Sequence, residues 1–595
     1  MKFLGKLIVG VFASIGFFIV VLTVAGVYFV MKADNLGPAA PKPPEKIVLQ
    51  LDLDEGFVEG ASGRRLEGFM LQHRTTLQDA LIAIRRAKDD PRVVGIVANL
   101  TEQSLGLAQI QDVRDVMTEF KASGKPSLLY AETIGEGTGA TPTYYLASAF
   151  NEVWVQPSGT VGLAGIGIEQ PFFKAFLDRF GVKANVIQRK EYKSAMENVT
   201  NERISPANKE ALQALLGSFF DQIVTGVAKD RSLEAAAVRR AIDNGPLLAQ
   251  EALEAKLIDH LGYRDEFEAE LDKRLPDAQP VEINKYLSFP SSPARPEPKK
   301  RVAVIHAVGE IMRGRDDNDP FGSDDRVLSD TMAEAVADAA GNDEIDAILL
   351  RIDSPGGSYV ASDTIWRELV LAKAKKPIIV SMGNTAASGG YFLAMPADRI
   401  FAQPATITGS IGVIMGKLVF GGAFDKLDIN WERISFGETA GMFSSTTEFS
   451  PKELARLNEM IDAAYADFTT KAAKGRNKDV AELERNARGR VWTGADALKA
   501  GLVDELGGFG RAIDYTKEKL GLVPGDTVWL VPYPAPEDPW KKLLRAFEDG
   551  GLPFGLMSGL KSLNLLATEL APVTEAGKLM NRRGVQLYAD PIAVN

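Results

Sequence analysis

Residues 378–397, IIVSMGNTAASGGYFLAMPA, decide the fold of this chain. They run from an apolar segment through a turn of small residues into a second apolar segment, which is the pattern of a strand that turns directly into a helix. Residues 347–358, AILLRIDSPGGS, precede them and also end in a glycine-rich turn. Such strands, when they alternate with helices, predict βαβ units and a mostly parallel sheet.

The same alternation occurs in both halves of the chain. The predicted strands are 47–53, 93–100 and 127–131 in the first half and 302–307, 347–352 and 378–382 in the second, with helices at 76–88 and 329–340. The sequence therefore predicts an α/β protein.

An internal repeat relates the two halves. The segment YYLA (144–147) matches YFLA (391–394), and QP (156–157) matches QP (403–404), both at an offset of 247 residues. A proline-rich linker, PSSPARPEPKK (290–300), separates the matching regions. We therefore predict two tandem domains with the same plan.

The N-terminus contains an uncharged run of 24 residues, 7–30. As a helix it would span about 36 Å, enough to cross a bilayer. Lys2 and Lys6 precede the run, so the positive-inside rule places the N-terminus in the cytoplasm and the remainder outside. The alternative is a cleaved signal peptide, but its apolar region is shorter and is followed by small residues, whereas YFVMK (28–32) stands here.

These observations divide the chain into seven segments. They are a cytoplasmic N-terminus (1–6), a transmembrane anchor (7–30), a linker (31–45), an N-terminal domain (46–285), a second linker (286–300), a C-terminal domain (301–540) and a C-terminal extension (541–595). Within the extension, residues 556–566 are apolar enough to serve an interface or a membrane contact.

Composition excludes several classes of function. The chain of 595 residues has a formal net charge of −11 and no long basic stripe, which argues against nucleic-acid binding. It has no cysteine, and its three histidines show no metal-ligand spacing, so a zinc hydrolase and a thiol enzyme are not expected. No cofactor is predicted.

The two glycine-rich turns suggest an acyl-transfer site. Ser388 lies where a strand turns into a helix, and the amides of Gly356, Gly357 and Gly389 could donate to a developing oxyanion. The alternative is that these glycines only form tight turns. A nucleophilic serine also needs a base.

None of the histidines forms a convincing triad with Ser388. His306 lies inside a predicted strand, His260 in a segment predicted to lie at the surface, and His73 in a polar stretch. A lysine is the remaining candidate, and it would need a desolvated site that lowers its pKa.

Three segments carry a family resemblance: SPGGS (354–358), TAASGGYFLAMPADRIFA (385–402) and TGSIGV (408–413). Together they resemble the signal peptide peptidase A (protease IV) family of Ser-Lys peptidases, family S49, in its long duplicated form. The resemblance implies tandem crotonase/ClpP-like βαβ domains and Ser388 as the nucleophile. It also implies Lys193, in Tyr192-Lys193-Ser194, as the general base and Ser410 as the group that orients the lysine amine.

The family further implies partners and a location. It predicts a serine endopeptidase of the bacterial inner membrane, single-pass, with its catalytic part in the periplasm. Its substrates would be signal peptide remnants and other apolar peptides, and the chain would form a homo-oligomer, a tetramer in the duplicated form.

The repeat tests the residue assignment independently. At the offset of 247, Ser388 corresponds to Thr141, and Lys193 corresponds to Ala440. Ser410 corresponds to Leu163. Each half thus carries a complementary part of one site. Two neighbouring lysines, residues 183 and 190, remain outside candidates for the base.

Two other functions stay open from the sequence. The segment 387–402 also resembles crotonases, which suggests an acyl-CoA hydratase or isomerase, although such enzymes favour carboxylates near the glycine turn. The other alternative is an inactive membrane scaffold that retains a peptidase fold.

Overall fold

The computed structural model of the chain describes residues 42–60, 75–137, 139–294, 297–315, 326–523, 525–534 and 586–588. The predicted anchor (7–30), His73 and the apolar segment 556–566 lie outside the described residues.

The described residues form 22 strands and 18 helices. The strands are β1 Ile47–Asp52, β2 Val93–Asn99, β3 Ser127–Ala131, β4 Glu152–Val155, β5 Thr160–Val161, β6 Lys183–Arg189, β7 Leu247–Leu248, β8 His260–Leu261, β9 Gln279–Glu282, β10 Lys300–Val308, β11 Glu310–Met312, β12 Arg326–Leu328, β13 Ala347–Ser354, β14 Gly356–Ser358, β15 Ile378–Ala387, β16 Arg399–Ala402, β17 Ile407–Gly409, β18 Val413–Val419, β19 Val491–Thr493, β20 Glu505–Leu506, β21 Val528–Tyr533 and β22 Gln586–Tyr588. The helices are α1 Leu77–Asp89, α2 Leu107–Lys121, α3 Thr141–Ala147, α4 Lys174–Arg179, α5 Glu197–Thr200, α6 Pro206–Asp230, α7 Ala235–Asp243, α8 Ala249–Glu254, α9 Arg264–Arg274, α10 Ile283–Ser288, α11 Ser329–Gly341, α12 Tyr359–Lys373, α13 Gly389–Ala394, α14 Gly421–Asp425, α15 Pro451–Gly475, α16 Val480–Glu484, α17 Gly494–Lys499 and α18 Phe509–Lys519.

Each half of the chain forms one large sheet. The first sheet has the strand order β8-β4-β3-β2-β1-β9, and all its strands are parallel. The second has the order β19-β17-β15-β13-β10-β21; β16 also pairs with β15, and β20 pairs with β16. Only β19 is antiparallel to its neighbour. The prediction of an α/β fold with parallel sheets is confirmed.

The central strands are apolar because helices cover them. Strand β13 begins AILL, and these four residues are completely buried, as are Ile378, Ile379 and Val380 of β15 to within 1 %. Near-continuous apolar runs are expected where a parallel sheet is covered on both faces.

A third sheet joins the two halves. Strand β6, from the first half, pairs antiparallel with β18, from the second, over seven residue pairs that run from Lys183↔Val419 to Arg189↔Val413. The sheet continues through β22, β14 and β11 to β12. This pairing brings the segment after β6 to the edge of the second half.

The two halves repeat their elements beyond the motifs seen in the sequence. Helices α6 and α15 both have 25 residues and begin with proline, 245 positions apart. Among the described residues, α6 alone is long and apolar enough to cross a membrane. Its residues Leu215, Phe219 and Ile223 are buried in the protein, as expected for a core helix.

Candidate active site

Ser388 lies between β15 and α13 with an unusual backbone conformation. Its φ is 53° and its ψ is −111°, a combination that is costly for a residue with a side chain. Two hydrogen bonds hold the turn: the Ser388 amide donates to the Gly409 carbonyl at 2.8 Å, and the Phe392 amide donates to the Ser388 carbonyl at 2.9 Å. Ser410 also has a positive φ, of 49°, so two serines at this place have backbone conformations that are typical of functional turns.

Glycine is required on the C-terminal side of this serine. A Cβ on Gly389 would lie 3.0 Å from Gly356 Cα and 3.1 Å from Gly357 N. Gly356 and Gly357 themselves have φ values of 107° and 154°. The two glycine-rich turns of the sequence therefore meet at Ser388, with their backbones in close contact.

Lys193 reaches Ser388 from the other half of the chain. Its Nζ lies 2.8 Å from Ser388 Oγ, 3.0 Å from Ser410 Oγ and 3.1 Å from the Ser410 carbonyl. Lys193 is 1 % exposed, Ser388 is fully buried and Ser410 is 2 % exposed. Burial of this degree disfavours a charged ammonium.

The turn after β6 is shaped to admit this lysine. The Tyr192 amide donates to the Arg488 carbonyl at 3.2 Å, which fastens the turn to the second half. A Cβ on Gly489, whose φ is 83°, would lie 2.7 Å from Lys193 Cβ. A Cβ on Gly412 would lie 3.1 Å from Lys193 Cδ. Both glycines thus make room for the lysine, and neither was singled out from the sequence.

The other basic candidates lie elsewhere. Lys190 Nζ pairs with Glu484 at 3.1 Å, and Lys183 Nζ pairs with Glu448 at 2.6 Å, with side chains 40 % and 60 % exposed. His260 is half-buried, stacks on Trp154 and contacts Glu152. His306 lies in β10, opposite Arg351.

The positions that the repeat relates to Ser388, Ser410 and Lys193 hold residues with other contacts. Thr141 opens α3, and its hydroxyl accepts from the Ala164 amide at 3.2 Å. Leu163 is completely buried. Ala440 lies in an exposed segment of the second half. No second Ser-Lys pair is formed at these positions.

One predicted oxyanion donor is engaged within its own turn. The Gly356 amide donates to Ser354 Oγ at 3.2 Å. Strand β14, which contains Gly356 and Gly357, also pairs antiparallel with β22 from the C-terminal extension. Extended backbone is therefore accommodated directly beside the turn that carries Ser388.

Among the described residues, no group of three or more metal-ligating side chains is present.

Comparison with known proteins decides the family. The model of peptidase family S49 matches residues 119–277 and 371–523. The chain belongs to peptidase family S49. It is 33 % identical to Protease 4 of Salmonella typhi over 471 residues, which cover 76 % of this chain and 74 % of that protein. It is 31 % identical to the chloroplastic serine protease SPPA of Arabidopsis thaliana over 519 residues, 85 % and 75 % of the two chains.

Protease 4 of Haemophilus influenzae is also similar, at 30 % identity over 472 residues, which cover 76 % of this chain and 74 % of that protein. The resemblance to family S49 drawn from the sequence motifs is thereby confirmed.

A buried cluster of charged residues near the site was not predicted from the sequence. Arg351 Nε contacts Glu59 Oε1 at 2.5 Å, and its Nη2 contacts Asp112 Oδ2 at 2.8 Å. Arg351 and Asp112 are 1 % and 2 % exposed. Both carboxylates come from the first half, whereas Arg351 is in β13. The available signal was a charged residue inside the otherwise apolar run ILLRI.

Asp353 belongs to the same cluster, and its pKa is raised. Burial and the repulsion of Glu59 raise the pKa of the Asp353 carboxyl to about 7, although Arg351 acts in the opposite direction. Burial also raises the pKa of Asp112 above its usual range. A raised pKa means that the folded state disfavours the ionised carboxylate.

This shift predicts a pH dependence of stability. Between pH 4 and pH 7 the folded chain holds a proton on Asp353 that the unfolded chain has lost, so stability falls as pH rises and levels off above about pH 7. We expect Asp353→Asn to raise the melting temperature at pH 8 but to change it little at pH 5. Thermal melting of both proteins at the two pH values checks this, and equal pH dependence in both would contradict it.

Proposed function

We propose that this chain is a membrane-anchored serine endopeptidase in which Ser388 is the nucleophile and Lys193 is the general base. The single observation that carries the proposal is the 2.8 Å distance between Lys193 Nζ and Ser388 Oγ in a buried site. A nucleophile within hydrogen-bond distance of a base is the arrangement that covalent catalysis requires. Membership of peptidase family S49 supports a peptide as the substrate.

The proposed reaction begins with a neutral Lys193. Its Nζ takes the proton from Ser388 Oγ while the oxygen attacks the carbonyl carbon of the scissile peptide bond. The resulting tetrahedral intermediate collapses when Lys193 gives that proton to the leaving amine. Water then attacks the acyl-enzyme, Lys193 accepts a proton from it, and Ser388 is regenerated as the acid product leaves.

Ser410 has the geometry to orient the lysine amine. Its hydroxyl and its carbonyl both lie within 3.1 Å of Lys193 Nζ. If the neutral amine donates its two N–H groups to these oxygens, its lone pair faces Ser388 Oγ. For the oxyanion we propose the amides of Gly357 and Gly389, with Gly356 contributing only if its bond to Ser354 is released.

The strand β14 supports an extended peptide as the substrate. Its residues 356–358 pair antiparallel with residues 586–588 of the same chain, and we propose that a substrate binds by strand addition in the place of β22. A substrate in the same position would pass its carbonyl groups close to Ser388. Recognition through backbone hydrogen bonds suits substrates that share little sequence, such as cleaved signal peptides and other apolar peptides.

The architecture and location that go with this function are also proposals. Residues 46–285 and 301–540 would be two crotonase/ClpP-like domains, one supplying the lysine and the other the serine. Residues 7–30 would anchor the chain in the bacterial inner membrane, with the catalytic part in the periplasm. A homo-oligomer, a tetramer, would enclose the sites.

Chemical labelling and peptide cleavage test the proposal together. We expect a fluorophosphonate to label the purified chain once, on the tryptic peptide that contains Ser388. The unlabelled chain should cleave synthetic signal peptides, and the labelled chain should not. Acyl-CoA thioesters, assayed in parallel, should not turn over. Thioester turnover would instead favour the crotonase alternative, and the absence of both labelling and cleavage would favour the inactive scaffold.

A further inference from the structure

Strand β15 carries an irregularity three residues before Ser388. Met382 of β15 lies opposite Ile352 of β13, whereas Ala386 lies opposite Ser354. One residue of β13 therefore faces three residues of β15, 383–385, which we call the β15 bulge. A bulge of this kind re-aims the residues that follow it and leaves backbone groups without a ladder partner.

Asp353 is the residue that faces the β15 bulge, and its side chain supplies the missing acceptor. Its Oδ1 accepts from the Thr385 amide at 2.9 Å. Its own carbonyl accepts from the Gly309 amide at 2.8 Å. A Cβ on Gly383 would lie 2.9 Å from Asp353 Oδ2, so the bulge closes tightly around the carboxylate.

Asp353 lies close in the chain or in space to both glycine-rich turns of the site. The bulge ends three residues before Ser388, and Asp353 itself lies three residues before Gly356. We propose that Asp353 is a positioning residue, whose carboxylate holds the β15 bulge in the geometry that aims Ser388 at Lys193. This inference rests on the proposed function, because it takes Ser388 as the nucleophile.

Residues of the first half also contact the β15 bulge. The Gln109 amide, in the first turn of α2, donates to Asn384 Oδ1 at 3.1 Å. A Cβ on Gly106 would lie 2.3 Å from the Asn384 side chain, so the start of α2 packs directly on it. Gln109 Nε2 also donates to Glu59 at 2.6 Å and lies 3.5 Å from Asp353 Oδ2.

The charged cluster contacts β15 just before the bulge. Arg351, two residues before Asp353, pairs with Glu59 and Asp112 of the first half. It also donates to Ser381 Oγ at 2.9 Å and to the Met382 carbonyl at 3.0 Å. The bulge is therefore held by contacts within the second half, from Asp353 and Arg351, and by contacts from the first half that form only when the two halves are packed together.

The rate at which a fluorophosphonate reacts with Ser388, forming an O–P bond and releasing fluoride, measures this positioning without the later steps of turnover. We expect Asp353→Ala to be phosphonylated at least tenfold more slowly than wild type, because the Thr385 amide loses its acceptor. Asp353→Asn should stay within threefold, since its Oδ1 can accept from the same amide. Asp343→Ala, which alters an exposed carboxylate before β13, is the matched control and should be phosphonylated like wild type.

A wild-type rate in folded Asp353→Ala would overturn the proposal, as would an equal loss in the alanine and asparagine variants. If Asp353→Ala does not fold, Gly383→Ala tests the same contact from the other side, because its methyl group presses on Asp353 Oδ2. We expect it to slow phosphonylation at least fivefold, and an unchanged rate would overturn the proposal. Labelling that persists in Ser388→Ala would instead refute the nucleophile assignment, which separates the two failures.

Discussion

Ser388→Ala and Lys193→Met are each expected to lower kcat/KM for peptide cleavage by about 10³-fold or more. Alanine removes the oxygen that forms the acyl-enzyme, and methionine keeps the bulk of the lysine stem while removing the amine that lies 2.8 Å from that oxygen. The double variant should be hardly slower than either single variant, because groups that act as one unit lose their joint contribution together. Initial rates on a fluorogenic apolar peptide measure all three.

A permanent cation at position 193 tests whether a neutral amine is needed. Lys193→Arg introduces a guanidinium that stays protonated at working pH and cannot act as a base, so we expect it to be as inactive as Lys193→Met. Lys190→Met is the matched control, because this lysine lies three residues away and pairs with Glu484 at the surface. Loss of activity in Lys190→Met, or turnover close to wild type in Lys193→Met, would be inconsistent with the assignment.

Much of the fold could be predicted because its signals are local. The strand 127–131 was predicted at its observed bounds, and the helices predicted at 76–88 and 329–340 differ from the observed ones by one residue at their ends. Strand β15 was predicted to end at 382 but continues to Ala387. Glycine and asparagine ordinarily end a strand, but here the next residue, Thr385, donates its amide to the Asp353 carboxylate and the strand continues.

The pairing of the halves had no local signal. Strands β6 and β18 meet antiparallel although more than 220 residues separate them, and neither is distinguished from other short strands by its composition. Lys193 was nevertheless found from the sequence, because the family motif and the repeat, with Ala440 at the corresponding place, both indicate it. The structure brings Lys193, Ser388 and Ser410 together, and their catalytic roles stay predictions.

Arg351→Met is expected to lower the free energy of unfolding by about 3–5 kcal/mol, because it leaves the Glu59 and Asp112 carboxylates buried without their counter-charge. Urea unfolding followed by tryptophan fluorescence measures the change. Arg399→Met is the matched control on β16, since Arg399 pairs with Glu505 near the surface and such pairs contribute about 0–1 kcal/mol.

A triple variant separates two causes of the lost stability: the unpaired charge of the two carboxylates and the loss of the hydrogen bonds of Arg351. In Arg351→Met/Glu59→Gln/Asp112→Asn the two carboxylates are neutral, so much of the lost stability should return, as expected when a buried ion pair is replaced as a whole. If the triple variant is no more stable than Arg351→Met, the guanidinium acts mainly through its bonds to Ser381 and the Met382 carbonyl. Either outcome bears on the site, because Ser381 and Met382, which Arg351 contacts, lie in the strand that leads to Ser388.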